Sequence, residues 1–211
     1  MRPSTIVAVG IVVMVSILAL MLYPRVPYLI PPTSPQGQAP GGLPIPQWAI
    51  AFGRADAPIT VIELYDLHCP YCAMAQEQLD PLYRQMLQEG KLRLILLDLI
   101  VHPEAAQAHQ YLHCAYKQLG NNTLDLILQA YQTFSKQGPD AQMRLLERYN
   151  CTNAPTKADF DNAVRTLLNH LTQRGVSIRQ VGTPTFIIVK NETINVVVGA
   201  DVPKVVSLLS Q

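Results

Sequence analysis

Two apolar runs of strand length flank a helical pattern, and their order restricts what this chain can fold into. The first run is Ile59–Tyr65, which is almost continuously hydrophobic and rich in β-branched residues, as strands buried on both faces are. The second run covers residues 92–100. Between them, apolar side chains recur every three or four positions, as on one face of a helix: Cys72, Ala75, Leu79, Leu82 and Met86. The order strand, helix, strand predicts a βαβ unit with parallel strands.

The rest of the chain predicts an α/β fold that is interrupted by a block of helices. Residues 104–175 are helical in pattern, and breaks rich in Gly, Asn and Pro divide them into about four helices. Strand patterns return at 185–189 and 193–198, and the short turn between them predicts an antiparallel hairpin. Asp201 is placed to cap a last helix over 202–209. The predicted order is therefore βαβ, a helical insert, then ββα.

The N-terminal region predicts a membrane segment followed by a spacer. Residues 6–22 carry no charge, and their 17 positions suffice for a helix across a bilayer core of about 30 Å. Eight prolines follow before Trp48, so this stretch should be an extended, semi-rigid linker. We predict a signal-anchor at 1–23, a linker at 24–47 and a folded domain at 48–211. A cleaved signal peptide is the alternative, and either reading places the domain outside the cytoplasm.

The charge pattern excludes one class of partner. The formal net charge is +1, and no basic stripe or acidic tail indicates a nucleic-acid partner. The segment before the domain is a spacer that cannot dimerise, so a monomer is expected.

Cys69 and Cys72 are the strongest chemical signal in the sequence. They are separated by two residues at the start of the predicted helix, where free backbone N–H groups and the helix dipole stabilise an anion. Pro70 suits the first helical position because it has no N–H to leave unsatisfied. Cysteines in this setting have a lowered pKa, and the thiolate is the nucleophile in disulfide exchange. We therefore expect Cys69 to be the exposed attacking sulfur and Cys72 the more buried resolving one.

Half of a zinc site is the alternative interpretation of this pair. Zinc would need two further ligands, and His68 is too close in sequence to be a comfortable third. The remaining candidates are His102, His109 and His113, of which the last two could share a helix face. Solvated or helix-packing histidines are the favoured interpretation of this cluster, and no metal is predicted.

Together these motifs resemble the DsbA-like branch of the thioredoxin superfamily. The resemblance rests on residues 63–72, Glu-Leu-Tyr-Asp-Leu-His-Cys-Pro-Tyr-Cys, on the helical insert, and on residues 181–186, Val-Gly-Thr-Pro-Thr-Phe. It covers the chain from about Ala57 onward. It implies a thioredoxin-like fold with an all-helical insertion at about 104–175, and no cofactor besides the redox-active disulfide of Cys69 and Cys72.

The resemblance also assigns roles to residues around the cysteines. Pro184 matches a cis-proline that faces the disulfide, and the backbone of Thr183 would pair with an extended substrate peptide. Glu63 matches a buried acid whose raised pKa lets it exchange the proton of Cys72. The predicted substrate contacts around the sulfurs are Pro70, Tyr71 and His68. The Pro-Tyr pair departs from the Pro-His of strong oxidants.

Cys114 and Cys151 both fall in the predicted insert. In an oxidising compartment they would form a structural disulfide, which we favour; two buried free thiols are the alternative.

The resemblance implies a disulfide-introducing oxidase that acts on exported thiol-containing proteins. A membrane quinone-linked thiol oxidase of the DsbB or VKOR type would reoxidise it. A membrane-bound reductase or a disulfide isomerase are alternatives, as is a non-catalytic thioredoxin-like binding module. The direction depends on the reduction potential, near about −120 mV for an oxidase and about −270 mV for a reductase.

Overall fold

The computed structural model describes residues 40–176, 178 and 180–210. The predicted signal-anchor at 1–23 and the predicted linker as far as residue 39 lie outside these residues. Among the helices that are described, none combines the length and the apolarity needed to cross a bilayer.

The centre of the fold is a mixed sheet of five strands in the order β1-β3-β2-β4-β5. The strands are β1 Ile50–Phe52, β2 Ile59–Tyr65, β3 Leu92–Asp98, β4 Thr185–Lys190 and β5 Thr193–Val198. Strands β2 and β3 are parallel, and every other neighbouring pair is antiparallel. The predicted βαβ unit and hairpin are both present. The edge strand β1 was not predicted, because three residues carry too little periodicity to be recognised.

Six helices complete the described part of the chain. They are α1 Pro70–Gln88, α2 Ala106–Leu119, α3 Thr123–Gln137, α4 Pro139–Leu146, α5 Lys157–Gln173 and α6 Val202–Ser210. Helix α1 crosses from β2 to β3 and continues through Pro81 without a break. Helices α2 to α5 form the insert, so the predicted all-helical insertion is present. Asp201 accepts the backbone N–H of Lys204 and caps α6, as predicted.

The helices cover the two faces of the sheet unequally. Along β2, Val61 and Tyr65 pack in one core with α1, α6 and helices α2 to α4 of the insert. Ile62 and Leu64 face the opposite core, which α5 covers. Side chains alternate between the faces of a strand, so Glu63 lies on the same face as Val61 and Tyr65. The fold thus places this carboxyl beneath the helix that carries the cysteines.

The packed domain begins earlier than Trp48. Leu43, within the predicted linker, is buried in the same core as α5, and Ile45 packs partly against it. Burial of a leucine side chain contributes about 1.5–3 kcal/mol, so this end of the proline-rich stretch is attached to the domain rather than extended away from it.

The insert is closed by a disulfide. Cys114 on α2 is bonded to Cys151, in the segment before α5, with their Cα atoms 5.6 Å apart. The structure therefore has the favoured disulfide between Cys114 and Cys151, and not two buried free thiols.

Candidate active site

Cys69 is the residue that caps the N-terminus of α1. Its backbone is extended, with φ −85° and ψ 117°, and Pro70 occupies the first turn. Its Sγ accepts the backbone N–H of Cys72 at 3.4 Å. Cys69 and Cys72 are not bonded to each other in the structure. The helix terminus therefore supplies the donor that a thiolate needs, as the sequence predicts.

The second element of the site is the turn that leads into β4. The peptide bond between Thr183 and Pro184 is cis, as the resemblance implied. The Cys69 thiol donates to the carbonyl oxygen of Thr183, with 3.3 Å between sulfur and oxygen. Two segments that are 114 residues apart in the chain therefore meet at the Cys69 sulfur.

Both sulfurs are more covered than the sequence suggests. Cys69 is 4% exposed and Cys72 is fully buried. The predicted order of exposure is correct, but the expectation of an exposed Cys69 is wrong. The reason is tertiary: the sulfur points at the Thr183 carbonyl, so the turn before β4 lies against it.

The two thiols differ strongly in acidity. The pKa of Cys69 is lowered to about 6, chiefly because the Cys72 side chain hydrogen-bonds to its sulfur. Burial opposes the lowering. Hydrogen bonds with Thr183 and from the backbone N–H groups of Cys72 and Tyr71 lower the pKa further toward this value. The pKa of Cys72 is raised far above its usual value, first by burial and then by its bond and charge interaction with Cys69. At neutral pH the first sulfur is a thiolate and the second a thiol.

Glu63 lies in the middle of β2 and is buried. Its neighbours across the two adjacent strands are Leu96 and Phe186, both apolar. Burial, with a smaller contribution from the charge of Cys69, raises its pKa to about 8. Its Oε2 has no hydrogen-bond partner among the described residues. The carboxyl is therefore protonated at neutral pH and holds a proton close to the cysteine pair.

The surface next to the cysteines is apolar and accessible. Tyr71 is 63% exposed and Met74 is 41% exposed, both on the first turns of α1. A groove of about 210 Å³ begins at Pro70 and runs between α1 and α3, with Leu128 and Lys136 on its far side. The predicted substrate contacts Pro70 and Tyr71 are thus placed where a polypeptide could reach them.

His68 does not fit its predicted role as a substrate contact. It is 5% exposed, and its ring stacks on Phe134 of α3 with 4.8 Å between centroids. Burial lowers its pKa, although nearby Asp66 and Glu104 oppose this. The ring points into the insert because the apolar face of α3 offers it a stacking partner.

Behind the site lies a buried cluster of carboxylates and histidines to which the sequence patterns assign no role. Asp98 accepts from Nδ1 of His109 at 2.6 Å and from Nε2 of His113 at 2.8 Å. Asp66, three residues before Cys69, is also fully buried. The described residues contain no group of three His, Cys, Asp or Glu side chains placed to hold a metal ion. The histidines considered as zinc ligands instead bond to a carboxylate.

Burial alone would raise the pKa of both carboxyls in this cluster. At Asp98, charge and hydrogen bonds from His113 and His109 outweigh burial. At Asp66, burial is outweighed by His109, whose Nε2 lies 3.8 Å from the carboxylate, and by hydrogen bonds from backbone N–H groups, so the pKa of each carboxyl is well below the usual range. Both are therefore carboxylates. An acid within the apolar stretch before Cys69 was the one signal in the sequence that could have revealed Asp66.

Comparison with known proteins agrees with this geometry. A family model described as thioredoxin matches residues 47–198. A search of curated protein sequences finds no match. Among solved structures, BdbD from Bacillus subtilis in its oxidised form superposes with a TM-score of 0.54 at 16% identity, covering 82% of this chain and 97% of that one.

Two other solved structures are similar to the same extent. A periplasmic thioredoxin-like protein from Salmonella enterica serovar Typhimurium has a TM-score of 0.53 at 19% identity, covering 77% of this chain and 88% of that one. The catalytic domain of Proteus mirabilis ScsC has a TM-score of 0.50 at 22% identity, with the same coverages of 77% and 88%. At these identities the likeness shows a shared fold.

Proposed function

The chain belongs to the thioredoxin family, and on that premise we propose that it is a thiol–disulfide oxidoreductase that introduces disulfides into exported proteins through Cys69 and Cys72. The predicted DsbA-like thioredoxin fold with a helical insert is confirmed, and its structural neighbours are consistent with dithiol–disulfide exchange. The proposal is carried by one observation. The Cys69 sulfur lies between the N-terminus of α1 and the carbonyl before a cis-proline, with its pKa lowered to about 6.

The reaction begins from the oxidised protein, in which Cys69 and Cys72 are bonded. A substrate thiolate attacks the Cys69 sulfur, the bond between the two cysteines breaks, and Cys72 leaves with the electron pair. Because the pKa of Cys72 is high, its sulfur takes up a proton, and protonated Glu63 is the nearby donor that the geometry favours. The product of this step is a mixed disulfide between Cys69 and the substrate.

A second substrate thiolate completes the exchange. It attacks the substrate sulfur of the mixed disulfide, Cys69 leaves as a thiolate, and the substrate gains a disulfide. Two electrons have then passed to the protein. A low pKa makes Cys69 a good leaving group in this step, and it stabilises the reduced protein relative to the oxidised one. Both effects favour an oxidase over a reductase.

We further propose an extracytoplasmic location, with residues 1–23 as a membrane tether. Tethering would raise the encounter rate with a membrane quinone-linked oxidase of the DsbB or VKOR type, which would take the two electrons from the reduced cysteines. The domain would act as a monomer on exported thiol-containing proteins. Membrane fractionation of the full-length chain, with a version lacking residues 1–23 as control, tests the tether.

The reduction potential of the cysteine pair tests the direction. Equilibration of the protein with glutathione buffers should give a value near about −120 mV for an oxidase, whereas about −270 mV would support a reductase. Reduced Cys72→Ser should trap mixed disulfides with scrambled, disulfide-containing RNase, because its Cys69 thiolate displaces one sulfur of a substrate disulfide and no resolving thiol remains; Cys69→Ser should trap none. Full activity of Cys69→Ser in this exchange would instead support a non-catalytic binding module.

A further inference from the structure

The residue two positions before the nucleophile has its main chain held by the helical insert. Leu67, in the turn between β2 and α1, donates its backbone N–H to Nε2 of His109 at 3.0 Å. Its carbonyl oxygen accepts from Nε2 of Gln142 at 3.1 Å. The two partners lie 42 and 75 residues further along the chain, on α2 and α4. The backbone N–H and C=O of Leu67 therefore both bond to side chains of the insert, and not to the backbone of a helix or strand.

Helix α3 contacts the residues on either side of Leu67. The hydroxyl of Tyr131 donates to the carbonyl oxygen of Asp66 at 3.3 Å, and the same oxygen accepts the backbone N–H of Cys69 at 3.1 Å. The ring of His68 stacks on Phe134. Three separate helices of the insert thus contact the segment 66–69, which ends at the attacking cysteine.

The opposite side of this segment is held by the loop after β3. The Asp66 carboxylate accepts the backbone N–H of His68 with one oxygen, and those of Val101 and His102 with the other, each at 2.8 Å. Residues 66–69 are therefore clamped between that loop and the insert. A turn that lacks regular backbone pairing gains its rigidity from such contacts.

The position of the Cys69 sulfur depends on this rigidity. The Cys69 Sγ accepts the N–H of Cys72 at 3.4 Å, and its thiol donates to the Thr183 carbonyl at 3.3 Å. A rotation of the preceding backbone would lengthen the bond from Cys72, which is the one of the two that stabilises the thiolate. Such sites depend on the residues that support the reactive group, because those residues hold it within a fraction of an ångström.

We propose that the helical insert positions the nucleophile, and that Gln142, His109 and Tyr131 are positioning residues that set the reactivity of Cys69. Gln142 is the central one, because its side-chain amide joins Leu67 to the carbonyl oxygen of Ala130 on α3, at 3.1 Å to each. The same amide therefore ties the site to the insert's own packing. This inference rests on the proposed function, since it takes Cys69 as the attacking thiol.

The test is the pH profile of Cys69 alkylation in the reduced full-length protein, measured with iodoacetamide and mass spectrometry. Gln142→Leu removes both donors at similar size, and we expect its profile to move to higher pH. A rise of one pH unit in the midpoint would slow alkylation at pH 6 by about five-fold, because the thiolate fraction falls by that factor. Tyr131→Phe, which removes a single hydroxyl, should shift the profile in the same direction by less.

Leu146→Ala is the matched control. Leu146 is fully buried on the same helix as Gln142 and has no polar side chain to bond to residues 66–69. Its truncation should lower the thermal unfolding midpoint and leave the alkylation profile in place. The proposal is overturned if Leu146→Ala shifts the profile as much as Gln142→Leu, or if Tyr131→Phe and every folded Gln142 variant keep the wild-type profile.

The alkylation assay needs no substrate, so it separates this proposal from the proposed function. Insert variants that shift the profile of a protein unable to oxidise reduced RNase would refute the function and keep the positioning role. Normal oxidation of RNase, with an unshifted alkylation profile in all insert variants, would support the proposed function and refute the positioning role.

Discussion

At the scale of single residues, the site is built from groups whose acidities have moved in opposite directions. Cys69 and Cys72 are one helical turn apart, yet the first is held at a helix terminus among donors and the second is enclosed by apolar side chains. The pKa of the first therefore falls and that of the second rises. In the proposed reaction, this asymmetry determines which sulfur forms the mixed disulfide and which one needs a proton.

The difference in pKa between the two thiols should be visible in the pH dependence of the reduction potential. Below pH 6 the reduced protein holds two thiol protons, so the potential should fall by about 59 mV per pH unit; above pH 6 Cys69 is a thiolate, and the slope should become about 30 mV per unit. Measurement in glutathione buffers from pH 5 to 7.5, below the range where Glu63 titrates, checks this. A single steep slope across the range would mean that Cys69 has an ordinary pKa.

The contribution of Glu63 to the stability of the fold depends on pH. Its pKa is raised from 4.5 to about 8 by burial and then by Cys69, so the folded protein binds this proton more tightly than the unfolded chain does. The stability that it contributes is complete below pH 4.5 and is lost as the pH rises toward 8, by up to about 1.4 kcal/mol per pH unit.

Glu63→Gln should therefore gain stability relative to the wild type as the pH rises from 5 to 8. Urea unfolding of both reduced proteins across this range measures the difference. Exposed Glu77→Gln is the control and should run parallel to the wild type. Parallel curves for Glu63→Gln as well would show that Glu63 titrates normally.

At the scale of secondary-structure elements, α5 has a complete local start signal. Thr156 accepts the backbone N–H of Asp159 through its hydroxyl at 3.3 Å, and the Asp159 carboxylate accepts the backbone N–H of Thr156 at 2.8 Å. This capping box is exposed and lies on the helix that covers the face of the sheet away from the cysteines. Its contribution should be to stability alone.

Thr156→Ala should lower the free energy of unfolding by about 1 kcal/mol, because it removes one half of the capping box. The alkylation profile of Cys69 should not change. Thr172→Ala near the end of the same helix is the control, since that hydroxyl bonds only to the carbonyl of Leu168 within its own helix. Guanidinium unfolding of the three proteins gives the comparison, and equal losses for both variants would exclude a capping role.

At the scale of the whole molecule, helices α2 to α4 of the insert form an additional layer packed on the cysteine side of the sheet, whereas α5 covers the opposite face. Helices α2 to α4 share one core with α1, and Arg84 of α1 bridges to Asp125 of α3 at 2.8 Å, while Asp80 of its own helix bonds to it at 2.6 Å. The disulfide between Cys114 and Cys151 closes a loop of 37 residues that contains α3 and α4. The positioning contacts of Tyr131 and Gln142 lie within this loop.

Replacement of both Cys114 and Cys151 by Ala should cost about 4 kcal/mol, because a closed loop of this length restricts the unfolded chain by about that amount. The measurement is urea unfolding in a Cys69→Ala, Cys72→Ala background, so that only one pair of sulfurs differs. The parent in that background is the control. A loss under about 1 kcal/mol would indicate that the unfolded chain retains the loop without the bond.

Much of the architecture could be predicted from local patterns. Hydrophobic periodicity predicts three of the elements: the strand Ile59–Tyr65, the helix that starts at Pro70 and the terminal hairpin. Each of them depends on residues that are neighbours in the chain. The role of Cys69 follows in the same way, because a cysteine at a helix start gains its donors from the next turn.

The sequence by itself determined the elements other than β1, their order and the cysteine pair that is proposed to be redox-active. Only the tertiary structure decided that Leu43 is buried, that Cys69 is covered, and that His68 faces the insert. It also decided that Gln142 and His109 hold the turn before the nucleophile. The physical reason is that these contacts join residues tens of positions apart, and the pairing of distant side chains leaves no periodic trace in either segment.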